Sequence, residues 1–106
     1  MGEVIRFPGH PLPGEDKPAP LWREAAGQVI REERSRQERT LADVAGDAGV
    51  STQYLSEIER GRKEPSSEVL EAVGGALGLG LVDLTERVTR TLRTGARHTG
   101  PMALAA

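Results

Sequence analysis

Through the middle of the chain apolar residues return every three to four positions, with polar residues filling the gaps. Leu21, Ala25, Ala26, Val29 and Ile30, with Glu33 in the same register, predict one amphipathic helix from Leu21 to about Arg36. Leu41, Val44, Ala45 and Ala48 predict a second, opened by Thr40 with Asp43 three residues on as its capping-box partner and closed by Gly49. Ser51 opens a third helix whose apolar positions are Leu55 and Ile58 and whose end is Gly61. Arg62 to Pro65 reads as a loop. Ser66 then caps a fourth helix carrying Val69, Leu70, Val73, Ala76 and Leu77, closed by Gly78, and Leu81, Leu84, Val88 and Leu92 mark a fifth. No segment carries a strand pattern, so the expected class is all-α: five short helices joined by tight turns.

The flanks behave differently. Five prolines (Pro8, Pro11, Pro13, Pro18 and Pro20) fall in the first twenty residues, which forbids a helix or a central strand and predicts a disordered arm over 1–20. Residues 95–106 read as a second loose tail, which leaves 21–94, with Pro65 its one proline, as the folded domain. A chain of 106 residues with 37% hydrophobic and 3% aromatic content supports one small aliphatic core. It has no cysteine, which excludes disulfides, thiolate metal sites and thiol nucleophiles. It has neither a long apolar run nor a basic-then-apolar leader, and position 6, Arg6, breaks a myristoylation signal. The expectation is a soluble cytoplasmic protein. The net charge of −2 leans against a nonspecific polyanion binder, but distribution matters more than total.

The chemistry concentrates between Leu41 and Gly61. Only Gly49-Val50-Ser51 separates the second and third helices. Gly49 can take positive φ cheaply, Val50 can plug the angle and Ser51 can cap the next helix. Such a turn is either an ordinary corner between helices or a helix-turn-helix, whose second helix enters a major groove. The exposed face of the third helix favours the latter, because Thr52, Gln53, Ser56 and Glu57 are short or bidentate groups. Gln pairs with adenine N6 and N7, Thr meets a thymine methyl and Glu accepts from cytosine N4. Arg60, Arg62 and Lys63 cluster at that helix's C-terminus, where they could clamp phosphates. Thr40 and Ser51 mark two helix starts whose backbone N–H groups also suit phosphates.

With those residues in place, the stretch from Ala45 through Gly49-Val50-Ser51, Ile58-Glu59, Gly61 and Pro65 resembles the lambda-repressor/Cro-like, or XRE, family of helix-turn-helix regulators, over roughly residues 24–85. The run Tyr54-Leu55-Ser56-Glu57-Ile58-Glu59-Arg60-Gly61-Arg62-Lys63-Glu64-Pro65-Ser66-Ser67-Glu68-Val69-Leu70 is similar to the ClgR-like activators of actinobacterial Clp protease genes. The resemblance implies a five-helix lambda-repressor-like domain that binds double-stranded DNA. It puts base reading at Thr52, Gln53 and Glu57, phosphate binding at Arg60, Arg62 and Lys63, and a structural tie at Glu59. The family often opens its second helix with Thr-Gln; here the pair is Thr40-Leu41, a mark of the ClgR-like group that removes one brace on the recognition helix.

Other features stay open between readings. Tyr54 either packs or touches a base, and Trp22 reads as a core edge. The fifth helix either makes a homodimer interface or caps its own core. Leu104, Ala105 and Ala106 are either an unselected tail or, given the resemblance, a tag for a Clp-type protease. His10 and His98 lack partners at metal or triad spacing, so no metal or cofactor is expected. Gly74-Gly75 and Gly78-Leu79-Gly80 follow no strand and precede no Lys-Ser/Thr, so they are no phosphate loop; each glycine inside the fourth helix costs about 1 kcal/mol unless close approach needs it. The expected role is a sequence-specific transcription regulator, an activator of protease or stress genes acting as a dimer on palindromic sites. The alternative is an antitoxin-type module that acts through a protein partner. No nucleophile–base pair supports an enzyme.

Overall fold

The computed structural model describes residues 21–97, with side chains through Thr94. The predicted arm at 1–20, His10, His98 and the Leu104–Ala106 terminus lie outside the described residues. Five helices follow in order: α1 (Trp22–Arg36), α2 (Leu41–Ala48), α3 (Thr52–Glu59), α4 (Ser67–Ala76) and α5 (Leu81–Arg97), with no strand among the described residues. The all-α expectation holds, and α5 runs beyond Leu92, where the apolar spacing stops.

The helix starts are where the sequence placed its caps. The Thr40 hydroxyl accepts from the Asp43 amide at 3.0 Å while the Asp43 carboxylate accepts from the Thr40 amide at 3.2 Å, the reciprocal bonds of a capping box. Those bonds hold the Asp43 carboxyl below its ordinary pKa, the backbone bond from Thr40 first. Ser51 and Ser66 accept from Tyr54 and Val69 amides at 3.0 and 3.2 Å. Leu21 has no side-chain acceptor for α1, yet its own amide donates to Glu24 Oε1 at 2.9 Å.

The core joins all five helices: Ile30 from α1, Val44 from α2, Leu55 and Ile58 from α3, Val73 from α4, and Leu84 and Val88 from α5 are fully buried. Trp22 and Tyr54 pack half-buried against its margin, Trp22 as the core edge expected of it and Tyr54 with part of its ring still open to the α3 face. Leu84 and Val88 show that α5 completes its own core, while Val82 on the same helix stays 68% exposed. α1 packs on α5 and α3, and α2 on α4 and α3. The α1–α3 crossing depends on Gly27, where a Cβ would overlap the Ile58 carbonyl oxygen. Gly74 sits comparably close to the Leu79 carbonyl, which explains one of the two adjacent glycines of α4; Gly75 faces open space and has no such reason.

Candidate nucleic-acid interface

The turn between α2 and α3 is as tight as three residues allow. Gly49 adopts φ +76°, the left-handed conformation that ends α2 without a side-chain clash, and its amide donates back to Ala45 and Gly46 carbonyls. Val50 is half-buried against the core and its amide also bonds the Ala45 carbonyl, at 3.0 Å. Ser51 then starts α3 at once. This geometry lets α3 bury Leu55 and Ile58 inward and present its other face outward.

On that outward side Thr52 and Gln53 are exposed, and Ser56 and Glu57 half-buried. Arg60, Arg62 and Lys63 are all exposed at and beyond the helix end. Among the described residues, none of these seven side chains makes an internal hydrogen bond or ion pair. An open recess of about 380 Å³ brings Ser51, Gln53, Glu57 and Lys63 together beside Tyr54. Thr52, Ser56, Arg60 and Arg62 lie outside its lining, and Thr40 stands apart at the start of α2.

The two helix starts differ in what they can still donate. At α2 the capping box occupies the Thr40 and Asp43 amides, and the Asp43 carboxylate sits beside them as a negative charge. Only the Leu41 and Ala42 amides and the Thr40 hydroxyl proton remain for an anion. At α3 the Thr52 and Gln53 amides remain, with no carboxylate in the first turn. Ser51 is therefore the better placed of the two helix starts for a phosphate.

Behind this face, α3 is fixed by α1. Arg34 meets Glu59 bidentately, Nε to Oε2 at 2.7 Å and Nη2 to Oε1 at 2.9 Å, and its third nitrogen donates to the Arg39 carbonyl at 2.9 Å. Hydrogen bonding to Glu59 raises the Arg34 pKa above its ordinary value, although burial opposes it. Arg23 Nε donates to the Gly61 carbonyl at 3.0 Å and holds the chain just after α3. Glu59 is thus the structural tie that the resemblance implied. Arg34, its partner, escaped sequence reading: 25 positions separate the two, and no local pattern links them. Gly27 was missed for the same reason, although a glycine in mid-helix on a buried face was a signal.

A tight turn between two capped helices, a polar outward face on the second and unpaired cations at its end define a DNA-binding helix-turn-helix protein. The chain belongs to the helix-turn-helix domain family, whose model matches residues 25–88. It is 53% identical to the transcriptional regulator ClgR of Mycobacterium tuberculosis over 79 residues, 71% of this chain and 70% of that one. The regulator DdrOP3 of Deinococcus deserti is 42% identical over 59 residues, 56% of this chain and 46% of that one. Among solved structures, the clp gene regulator ClgR from Corynebacterium glutamicum superposes with a TM-score of 0.73 at 42% identity, covering 76% of this chain and 86% of that one. The restriction-modification controller C.Esp1396I, at 20% identity and a TM-score of 0.66 over 71% of this chain and 97% of that one, shares the fold. The chain is a transcriptional regulator of the ClgR-like kind.

Proposed function

We propose that the protein is a sequence-specific regulator that lays α3 in the major groove of double-stranded DNA and binds palindromic sites as a dimer in the cytoplasm. Thr52, Gln53, Ser56 and Glu57 read base edges; Ser51, Arg60, Arg62 and Lys63, with Thr40 at the neighbouring helix start, hold phosphates. The observation that carries this reading is the set of unpaired polar and cationic side chains gathered on and just after α3. One copy spans too few base pairs for tight, specific binding, which favours a two-fold assembly. α5 supports it, since Val82 is exposed and Leu81 and Leu92 only partly covered on a helix whose Leu84 and Val88 already fill the core. The ClgR relatives, one of them a clp gene regulator, support control of clp genes as the regulatory output, and activation is the direction we propose for it.

The test is enrichment of a randomised duplex pool on the purified protein. A symmetric consensus with two half-sites is expected. Failure of a folded protein to enrich any sequence would overturn the reading and favour a role exercised through a protein partner.

A further inference from the structure

Neighbouring residues of α1 reach two different helices. Arg34 holds Glu59 of α3, as described. Glu33, one position earlier, is 3% exposed and the one buried charged residue among the described residues. Its carboxylate accepts from Arg87 Nη1 of α5 at 2.8 Å, from Gln37 Nε2 at 2.7 Å and from Arg36, whose Nε lies at 3.2 Å and whose Nη2 also bonds it. The same Gln37 amide donates to the Leu77 carbonyl at the end of α4, at 2.8 Å. One carboxylate therefore ties α5, the end of α1 and, through Gln37, the end of α4. α3 and α5 both pack on α1 and touch each other little.

We propose that Glu33 is a positioning residue for DNA recognition: by fixing α5 on α1, it sets the distance and rotation between the two recognition helices of a dimer, and so the half-site spacing the protein accepts. This rests on the reading above, in which α5 joins two copies. In such a dimer the path from one α3 to the other runs α3–α1–α5 and then the mirror sequence. Two joints on each side lie on that path, beside a longer route through α2 and α4. The α3–α1 joint is backed by the backbone contact at Gly27 as well as by the Arg34–Glu59 pair. At the α1–α5 joint, the buried Leu84 and Val88 hold α5 down and Glu33–Arg87 is the polar tie that fixes its setting. One base pair more or less between half-sites turns one half-site by about 35° and moves it by about 3.4 Å, which a stiff dimer cannot follow.

The experiment measures affinity on the selected operator, on the same operator with one central base pair inserted or deleted, and on a duplex carrying a single half-site. Wild type is compared with Glu33→Gln, Arg87→Gln and Arg36→Gln. Arg87 is half-exposed, so its loss leaves the apolar core intact. Arg36 also pairs with Glu33 but lies on the same helix, so Arg36→Gln removes a charge partner without loosening α5. Wild type and Arg36→Gln are expected to lose at least tenfold in affinity on the respaced operators. Glu33→Gln and Arg87→Gln are expected to lose about threefold or less there, with single-half-site affinity within twofold of wild type. An unchanged spacing penalty in Arg87→Gln, with sedimentation showing a dimer on DNA, would overturn the role of Glu33 alone. Two independent monomers on the operator would overturn it together with the dimer on which it rests.

Discussion

Arg34 and Arg36 at the end of α1, with Arg39 and Arg87 beside them, do the opposite of the arginines after α3. Arg34 lies 83% covered and clamps Glu59, whose side chain is 6% exposed; Arg39 donates to the Ala76 carbonyl at 2.6 Å and pairs with Asp47; Arg36 and Arg87 converge on Glu33. Arg60, Arg62 and Lys63 are exposed and make no internal bond among the described residues. A net charge of −2 averages over this division and hides it. Acidic partners concentrate on the α1 side, where they fix helices together, and leave the cations beside α3 unneutralised for phosphates. In a weakly acidic protein, an electrostatic DNA site is made by where the carboxylates stand.

The comparison can be broken most severely at Arg34. Arg34→Ala leaves the largely covered Glu59 carboxylate without its partner and should cost about 3–5 kcal/mol in urea unfolding. Adding Glu59→Gln should recover part of that loss, whereas a cost as small as that of an exposed arginine would place the pair outside the stabilising framework. Glu33 comes next and is read by acid. Arg36 first, then Arg87 and Gln37, hold its carboxyl at about 2 against an ordinary 4.5, although burial opposes them. The folded state therefore binds this proton more weakly than the unfolded chain. Its contribution is complete above about pH 5 and disappears as pH falls through 4.5 toward 2. With Arg36 and Arg87 partly in solvent, that contribution is on the order of 2 kcal/mol, and Glu33→Gln should flatten the acid limb of the stability profile by this amount. Gly27→Ala forces α1 from the Ile58 carbonyl and should cost roughly 1–3 kcal/mol by thermal unfolding, with weaker DNA binding because α3 moves. The smallest effect on stability belongs to the other side. Arg62→Ala should change unfolding by less than about 0.5 kcal/mol while lowering affinity for every duplex alike and reducing the salt slope by about one.

Local chemistry made much of this legible in advance. Thr40, Ser51 and Ser66 announce helix starts because a hydroxyl acceptor is needed within three residues of the amide it caps, and Gly49 announces the turn because few other residues tolerate its φ. The outward set on α3 follows from the same 3.6-residue period that buries Leu55 and Ile58. What the sequence hides is pairing at long range. Arg34 with Glu59 and Glu33 with Arg87 are separated by 25 and 54 positions, and only the folded chain brings them together. The turn after α1 was equally hidden: Glu38 takes φ +57°, a conformation its side chain gives no reason to expect. The full length of α5 escaped too, because after Leu92 the next stripe positions hold only Gly95 and Ala96, too small to mark an apolar face.

The central claim, that α3 reads sequence while the cations after it hold the backbone, is tested most directly at Gln53. Affinities of wild type, Gln53→Ala and Arg62→Ala would be measured on the selected operator and on single-base variants at every position of one half-site. Gln53→Ala should lose discrimination at one base pair, repeated symmetrically, by about 1–3 kcal/mol, and keep it elsewhere; Arg62→Ala should weaken all duplexes equally. An unchanged discrimination profile for Gln53→Ala, Ser56→Ala and Glu57→Ala alike would contradict base reading by α3.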